Sequence, residues 1–221
     1  MTAPLLAVPG GVTLVGGGAL SAAELRSALR RAPPLVAADG GADRALALGA
    51  MPDIVMGDLD SLGPDARARI GADRIHHIPE QDSTDFTKCL RRIDAGFVLA
   101  VGFLGGRLDH GLAALTSLAA EARMPVILIG AEDIVFLAPP ALDLALAAGT
   151  RVSLWPLGPV RGQSLGLEWP IDGLDFAPGA RVGTSNRALG PVSLRLDGPM
   201  LVMLPPDCLD AALEALGVPC A

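Results

Sequence analysis

The sequence predicts an α/β fold in which an N-terminal, mostly parallel sheet flanked by helices precedes a small all-β sandwich domain. Over residues 1–138, short apolar runs alternate with helical patterns, and such alternation calls for a parallel sheet. After Pro139 and Pro140 the helical patterns give way to β-like runs separated by Gly and Pro, which is typical of a sandwich or barrel. We therefore predict a first domain over residues 1–138 and a second over 139–221.

The first domain opens with a strand, a glycine loop and a helix. Val12–Val15 is β-branched and bounded by glycines, which indicates a buried strand. Gly16–Gly18 follows, and Ser21 is placed to cap a helix over Ala22–Arg31. Glu24 stands at the third helical position, so the two residues predict a capping box.

The same alternation continues to the end of this domain. Pro64 suits a first helical turn, and Gly49 suits a helix end. The further predicted strands are Leu35–Ala38, Ile54–Met56, Arg74–Ile78, Phe97–Phe103, Val126–Ile129 and Ile134–Leu137. The predicted helices between them are Ala42–Leu48, Pro64–Ile70, one ending near Ala95, and Asp109–Arg123.

The second domain is predicted to be almost entirely β-structure. Its predicted strands are Arg151–Trp155, Ser164–Leu167, Arg181–Gly183, Val192–Leu196 and Met200–Leu204. Asp207 is predicted to cap a short final helix over Cys208–Leu216.

Composition limits the class of protein. A chain that is 51% hydrophobic can bury a sizeable core, and its net charge of −7 disfavours a nucleic-acid partner. Cys89, Cys208 and Cys220 are odd in number and widely spaced, which suits a reducing compartment. The sequence contains neither a signal-peptide pattern nor an apolar run long enough to span a bilayer. We predict a cytoplasmic protein that binds neither nucleic acid nor membrane.

Three acidic loops each follow a predicted strand. They carry Asp58 and Asp60, then Asp82 and Asp85, then Asp109. In a parallel sheet the loops at the carboxyl ends of the strands share one edge, so these carboxylates are expected to converge. Crowded carboxylates repel one another unless a cation lies among them, and Mg²⁺ prefers oxygen ligands. The loops therefore predict a divalent metal site.

Each loop also has a purely structural interpretation. Asp58 and Asp60 suit an ordinary turn, whereas Asp82 as N-cap with Asp85 at the third helical position would form a capping-box variant. Lys88 would then pair with Asp85 one turn along the helix, and Asp109 would cap the next helix. These local roles do not explain why several acidic loops follow neighbouring strands.

The loop Gly105-Gly106-Arg107-Leu108-Asp109-His110 adds groups suited to an anion. Its glycines allow close backbone approach, and the Arg107 guanidinium is a planar fork that fits phosphate oxygens. We interpret His110 as a hydrogen-bonded positioning residue. Gly16–Gly18 and Asp39-Gly40-Gly41 lie at the same predicted edge, although the chain has no P-loop.

With these motifs the chain resembles the thiamine pyrophosphokinase (thiamine diphosphokinase) family. The resemblance rests on motifs in the family's order and spacing: Asp39-Gly40-Gly41-Ala42, Gly57-Asp58-Leu59-Asp60-Ser61, Asp82-x-Thr84-Asp85-x-x-Lys88, Gly106-Arg107-x-Asp109-His110 and Gly183-Thr184-Ser185-Asn186. It implies an α/β domain that binds ATP and Mg²⁺, followed by a β-sandwich that binds thiamine. It also implies a homodimer with sites between subunits, and transfer of a pyrophosphoryl group from ATP to the thiamine hydroxyl with release of AMP. Arg187 departs from the family, which has an acidic residue after the Asn.

The resemblance and the residue chemistry together give each candidate a role. The predicted metal ligands are Asp58, Asp60, Asp82 and Asp85, and the predicted catalytic residues are Asp60, Asp85, Arg107 and Asp109. One carboxylate, left open, accepts the hydroxyl proton. The predicted ATP- and phosphate-binding residues are Gly17, Asp39, Gly40, Thr84, Lys88, Arg107 and His110. The predicted thiamine-binding residues are Trp169, which would stack on a ring, and Thr184, Ser185 and Asn186, which would bond the aminopyrimidine edge.

Two other classes remain open from the sequence. An ATP- and Mg²⁺-dependent small-molecule kinase or nucleotidyltransferase would keep the same site but release ADP or pyrophosphate. A non-catalytic sensor of a nucleotide or a thiamine derivative would bind without turnover. The full set of acidic loops disfavours the sensor, because a sensor has no transition state to stabilise.

Overall fold

The structure, a computed structural model, describes residues 3–218 and contains two compact units. The first unit ends at Ala131, and the second begins at Glu132. Ile134–Leu137, which the sequence-based boundary assigned to the first domain, groups with the second unit because it pairs with a strand there. Cys220 lies outside the described residues.

Parallel strands form the sheet of the first unit. Within residues 3–131 they are β1 (Leu6–Val15), β2 (Leu35–Ala38), β3 (Ile54–Gly57), β4 (Ile75–His77), β5 (Ile93–Val101) and β6 (Val126–Ile129). Their order across the sheet is β6-β5-β1-β2-β3-β4. Every residue of β2 and β6 is buried, as expected for strands covered on both faces.

Helices connect these strands: α1 (Ala22–Arg31), α2 (Gly41–Ala47), α3 (Pro64–Ile70), α4 (Asp85–Arg92) and α5 (Leu108–Ala120). The predicted capping box of α1 is confirmed, since the Glu24 N–H donates to Ser21 Oγ and the Ser21 N–H donates to a Glu24 carboxylate oxygen. The ranges predicted for α1, α3, β2 and β6 are confirmed residue for residue.

The predicted boundary between α4 and β5 was wrong. The helix ends at Arg92 rather than near Ala95, and β5 begins at once with the buried Ile93. The cause is that β1 and β5 pair over a longer stretch than the sequence suggested. β1 starts at Leu6, opposite Ile93, and the two strands pair through a register shift between Val8 and Gly11. A strand extended by a distant partner overrides the local helical pattern.

Two predicted N-caps were also wrong. Thr84, not Asp82, caps α4 and accepts a hydrogen bond from the Thr87 N–H at 3.2 Å. Helix α5 begins at Leu108 with Arg107 at the N-cap position, which places Asp109 inside the first turn. Asp109 pairs there with the side chain of Arg107 instead of capping the helix.

Antiparallel strands form the second unit. Within residues 132–218 they are β7 (Ile134–Leu137), β8 (Ala141–Leu144), β9 (Arg151–Pro156), β10 (Gly162–Leu167), β11 (Gly183–Leu196) and β12 (Met200–Leu204). The strand order is β10-β11-β9-β12-β7, and β8 also pairs with β11. Helix α6 (Leu209–Ala215) follows a short 3₁₀ turn, Pro206–Cys208. Asp207 lies in that turn and does not cap α6, which corrects the prediction.

One long strand replaces two that the sequence predicted. β11 runs through residues 189–192 without a break, although Gly190 and Pro191 suggested a turn. Its first part pairs with β9, whereas its last part pairs with β8 and β10. β8 was not predicted. Among helices within residues 3–218, none combines the length and apolar character needed to cross a bilayer.

Candidate functional site

Bare backbone lines the carboxyl ends of β1 and β5, where the strand order of the first sheet reverses. The Gly18 N–H donates to the Gly102 carbonyl oxygen at 2.9 Å, and a Cβ added to Gly16 or Gly18 would lie 2.7 Å from that oxygen. A Cβ on Gly17 would lie 3.8 Å from the carbonyl carbon of Gly40, so these two predicted ATP-binding glycines are neighbours. Ligands of open α/β sheets bind at such a crevice.

Asp39 is a buried carboxylate in this region that lacks a complete set of partners. Asp39 directly follows β2, has a left-handed backbone conformation with φ of 46°, and is only 4% exposed. Oδ2 accepts a hydrogen bond from the Ser61 N–H at 3.1 Å, whereas the buried Oδ1 has no hydrogen-bond partner. Burial, with a smaller contribution from the charge of Asp85, raises the pKa of Asp39 despite the Ser61 hydrogen bond. An unpaired buried oxygen of this kind can accept a hydrogen bond or bind a cation.

Asp39, Asp58 and Asp60 bring their carboxylates together. One oxygen from each lies within 4.8 Å of the other two. Asp60 is exposed and accepts a hydrogen bond from Ser61 Oγ at 2.8 Å, while Asp58 is mostly buried. These three carboxylates supply the oxygen donors that Mg²⁺ prefers, and Asp39 has a buried oxygen without a hydrogen-bond partner.

Lys88 contacts two carboxylates, one of which, Asp58, belongs to this group. Its Nζ donates to Asp58 Oδ2 at 2.9 Å and to Asp85 Oδ1 at 3.0 Å, and its side chain is 2% exposed. Burial acts to lower the pKa of Lys88, but the hydrogen bonds to the two carboxylates outweigh it and raise the pKa. The Lys88 hydrogen bond in turn lowers the pKa of Asp58.

Gly57 allows this close arrangement. A Cβ at Gly57 would lie 2.9 Å from the Cβ of Asp39 and 3.1 Å from Asp85 Oδ1. A side chain at Gly57 would therefore displace Asp39 from its place in the site.

The other predicted acidic ligands lie differently. Asp85, the first residue of α4, has one oxygen engaged by Lys88, whereas Asp82 is exposed on the loop before the helix. Neither belongs to the group of three carboxylates. Thr84, predicted to contact phosphate, uses its hydroxyl oxygen to cap α4.

Arg107 and Asp109 form an exposed pair at the start of α5. Arg107 Nε donates to Asp109 Oδ1 at 3.1 Å, and a terminal nitrogen lies 2.6 Å from Oδ2. The hydrogen bonds from Arg107 hold the pKa of Asp109 below its usual range. Gly105 and Gly106, with φ of 82° and 85°, precede the pair, and His110 is exposed beside it. Arg107 is 71% exposed, so its guanidinium is open to a ligand.

In the second unit, Asn186 holds the backbone of Trp169. Its Nδ2 donates to the Trp169 carbonyl at 2.7 Å, and its Oδ1 accepts from the N–H groups of Trp169 at 3.2 Å and Arg187 at 2.8 Å. Asn186 is buried, while Trp169 is 54% exposed. The carboxamide is therefore occupied in fixing Trp169, and the indole ring remains available.

Thr184 and Ser185 lie next to Asn186 where the pairing of β11 with β9 is irregular. The register shifts between Gly183 and Asn186, and Ser185 has a φ of 61°. The Ser185 N–H donates to Ser153 Oγ at 3.0 Å. Both side chains are exposed, and Arg187 beyond them pairs with Glu168 at 3.3 Å.

Sequence reasoning missed three contributors to the acidic site. Ser61 donates to both Asp39 and Asp60, and Gly57 provides the space between segments. Asp39 was assigned to phosphate, although the structure places its carboxylate with those of Asp58 and Asp60. The available signal was its place at a strand end beside two glycines, a pattern that also describes an ordinary turn.

The first unit is thus an α/β domain with a group of carboxylates at the carboxyl edge of its sheet, where open α/β sheets bind ligands. The family profile described as "Thiamin pyrophosphokinase, catalytic domain" matches residues 25–128, a range that contains all three acidic loops. Thiamine pyrophosphokinase 1 of Oryza sativa subsp. japonica is 26% identical over 190 residues, covering 71% of this chain and 72% of the relative. Thiamin pyrophosphokinase 1 of Caenorhabditis elegans is 28% identical over 152 residues, covering 61% and 62%.

Solved structures agree with these relatives. Thiamin pyrophosphokinase from Candida albicans superposes with a TM-score of 0.79 at 18% identity over 89% of each chain. The Bacillus subtilis enzyme gives 0.71 at 20% identity, covering 88% of this chain and 98% of that one. These likenesses show a shared mixed α/β fold with a large sheet flanked by helices. The profile, the relatives and the solved structures all indicate the thiamine pyrophosphokinase family.

Proposed function

We propose that this protein transfers a pyrophosphoryl group from ATP to the hydroxyl of thiamine, giving thiamine diphosphate and AMP, with Mg²⁺ as cofactor. The observation that carries the proposal is the group formed by Asp39, Asp58 and Asp60 within the range that matches the family's catalytic domain. Relatives and solved structures named thiamine pyrophosphokinases support the same activity.

Asp39, Asp58 and Asp60 would hold the metal. A bound Mg²⁺ supplies positive charge next to the phosphates and neutralises charge that develops on the transferring group. Asp39 Oδ1 is the most strongly supported ligand atom, because it is buried and unpaired. Asp82 and Asp85 stay predicted ligands. Asp82 would act through water, since it is exposed, and Asp85 is linked to the group through Lys88.

ATP would lie close to the backbone of Gly17 and Gly40, near the point where the strand order reverses, because these residues have no side chain. Arg107 would leave Asp109 and bind phosphate oxygens, because its guanidinium is exposed and the two glycines before it give its loop freedom. When the phosphate leaves, Arg107 would pair with Asp109 again. His110 would position the loop. Thr84 accepts the Thr87 N–H at the start of α4, so it would contact phosphate as a donor, through its hydroxyl proton.

The exposed ring of Trp169 would stack on thiamine, with Thr184 and Ser185 bonding its polar edge. Asn186 would serve this site by holding Trp169. We propose that the second unit is the small sandwich that the sequence predicts, supported by antiparallel pairing of β11 with strands on both its edges. Cys89 and Cys208 are free thiols, which supports a cytoplasmic location.

We further propose a homodimer with sites between its subunits, as the family resemblance implies. Exposed Leu165, Trp169 and Leu189 give the second unit apolar surface that a partner would cover. Light scattering measures the mass. Co-expression of Asp60→Asn with Trp169→Ala then tests for shared sites, because a mixed dimer would contain one intact site and recover activity that neither variant has alone. A monomeric mass, or no recovery, would contradict this arrangement.

Product analysis tests the reaction itself. Incubation with ATP, thiamine and MgCl₂ is expected to give AMP and thiamine diphosphate in equal amounts, and excess EDTA is expected to stop both. ADP or pyrophosphate as product would identify a different transferase. Saturable ATP or thiamine binding without any product would identify a sensor.

A further inference from the structure

Lys88 is the only lysine in the sequence. The chain's seventeen basic residues comprise sixteen arginines and this one lysine. A protein that otherwise uses arginine for every cation places its one ammonium group in the acidic site. Lysine presents a compact point charge, whereas arginine presents a broad planar fork, so the two are not interchangeable in a confined space.

The surroundings of Lys88 leave little of it for a substrate. Its side chain is 2% exposed, and Nζ donates to Asp58 and Asp85 at 2.9 and 3.0 Å. These partners come from different segments, since Asp58 follows β3 and Asp85 begins α4. The ammonium therefore ties the first acidic loop to the helix that follows the second.

The same contacts set the orientation of Asp58. Lys88 takes Oδ2, while Oδ1 is directed to the Asp60 N–H at 3.4 Å. Asp58 thus contributes to the carboxylate group with a side chain that Lys88 and the Asp60 N–H hold in place. Lys88 thus contacts Asp85 directly and, through Asp58, is linked to the carboxylate group that Asp58 forms with Asp39 and Asp60.

We infer that Lys88 is a built-in counter-cation that assembles the acidic site before any metal binds, and that it positions Asp58 instead of binding phosphate. Without Lys88 the carboxylates would repel one another, and a divalent ion would be needed to hold them together. The inference rests on the proposed metal group, but it is independent of which reaction follows.

Thermal unfolding without substrates tests the inference directly. Lys88→Met keeps much of the aliphatic volume but removes the charge, and breaking a buried ion pair on one side should lower the midpoint in EDTA by about 10 °C. Saturating MgCl₂ should recover at least half of that loss, whereas wild-type protein should gain much less from the metal. Arg91→Met is the matched control, because Arg91 lies on the same helix and pairs with Glu121 outside the site. It should show no extra response to MgCl₂.

A second variant separates charge from packing and needs no metal. Lys88→Met combined with Asp85→Asn removes one negative charge along with the positive one. In EDTA this double variant should be more stable than Lys88→Met alone, and it keeps the test open if the single variant does not fold. A double variant no more stable than the single one would overturn the counter-cation role.

The single lysine also gives a direct spectroscopic readout. Protein labelled with ¹⁵N only in lysine side chains has one ammonium signal, which is expected to be visible because Nζ is buried and hydrogen-bonded. ADP added in EDTA should leave that signal in place, and MgCl₂ should move it, because the metal binds beside Asp58. A large shift with ADP alone would overturn the inference and return Lys88 to phosphate binding. So would a Lys88→Met midpoint within 2 °C of wild type together with an unchanged MgCl₂ response.

Failure of this inference differs from failure of the proposed function. Unfolding and the ammonium signal report on the site without turnover, while the product assay reports on the reaction. A protein that forms no thiamine diphosphate but shows the expected unfolding pattern would refute the function and keep the role of Lys88.

Discussion

The side-chain amide of Asn186 is hydrogen-bonded to both the N–H and the C=O of Trp169. The two contacts measure 3.2 and 2.7 Å, and they span the seventeen positions that separate the two residues. These two hydrogen bonds fix the backbone of Trp169 in the same way as pairing with a neighbouring strand would. Asn186, which the sequence predicts to bond the polar edge of a substrate, therefore holds the backbone of Trp169, whose ring is exposed.

Replacing Asn186 with Ala should loosen Trp169 and weaken thiamine binding. The loss of three hydrogen bonds from a buried amide lets the backbone at Trp169 move, so we expect the KM for thiamine to rise at least tenfold and the KM for ATP to stay near wild type. A Trp155→Phe background leaves Trp169 as the remaining tryptophan, and its fluorescence anisotropy should fall in the Asn186 variant. Unchanged anisotropy with a raised KM for thiamine would instead indicate direct contact between Asn186 and thiamine.

Local sequence patterns were sufficient where an element is determined by its own residues. The capping box of Ser21 and Glu24 predicted α1, and Pro64 predicted the start of α3. Elements determined by distant partners were missed. β8 is recognisable only through its pairing with β11, and the extension of β5 to Ile93 depends on Leu6. Pairing of this kind is not encoded in a local period.

The site shows the same division. Position at strand ends predicted that Asp58 and Asp60 would lie near each other, but the third member of their group, Asp39, was not among the carboxylates expected to converge. The i,i+3 spacing predicted the contact of Lys88 with Asp85, but the second contact, with Asp58, joins residues thirty positions apart. The burial of Asp39 was equally hidden, because its sequence context is also that of a turn.

Asp39→Asn should stabilise the metal-free protein and weaken its binding of Mg²⁺. Asparagine tolerates the left-handed backbone at this position and can still accept the Ser61 hydrogen bond, while it removes a buried unpaired charge. Relief of that penalty should raise the free energy of unfolding at neutral pH by about 1–3 kcal/mol. Urea unfolding in EDTA measures the stability, and calorimetric titration measures the metal.

The free energy of unfolding that Asp39→Asn gains should depend on pH in a defined direction. Burial raises the pKa of Asp39, so the unfolded state loses its proton first as pH rises, and the ionised group destabilises the fold above about pH 4. The stability difference between variant and wild type should therefore be largest at neutral pH, shrink as pH falls through the raised pKa of Asp39, and vanish below about pH 4. Asp53→Asn is the control, since Asp53 accepts the Leu35 N–H outside the site. An Asp39→Asn protein less stable than wild type at pH 7 would contradict the account.

Arg107→Ala should reduce turnover with little effect on stability. The side chain is exposed and pairs only with its neighbour Asp109 among the described contacts, so its removal leaves the core intact. Loss of a group that stabilises transition-state charge lowers kcat by about 10²–10³. Arg161→Ala is a matched control, because Arg161 is equally exposed and pairs with Asp175. Steady-state kinetics with a melting curve for each variant decides the matter, and near wild-type kcat in Arg107→Ala would remove Arg107 from the catalytic set.

Variants of Asp60 and Asp82 distinguish the metal ligands predicted from sequence from the metal ligands that the geometry favours. Both are exposed aspartates on acidic loops, but Asp60 has a carboxylate oxygen within 4.8 Å of those of Asp39 and Asp58, whereas Asp82 is outside that group. Asp60→Asn should therefore weaken Mg²⁺ binding by a factor of about 10–100, on the order of what perturbing a metal's coordination commonly costs. Asp82→Asn should change it less than threefold, because a ligand acting through water contributes little. Calorimetric titration of MgCl₂ into each variant without nucleotide makes the comparison. Equal losses for both would mean that the loop before α4 closes over the metal, bringing Asp82 into its coordination shell.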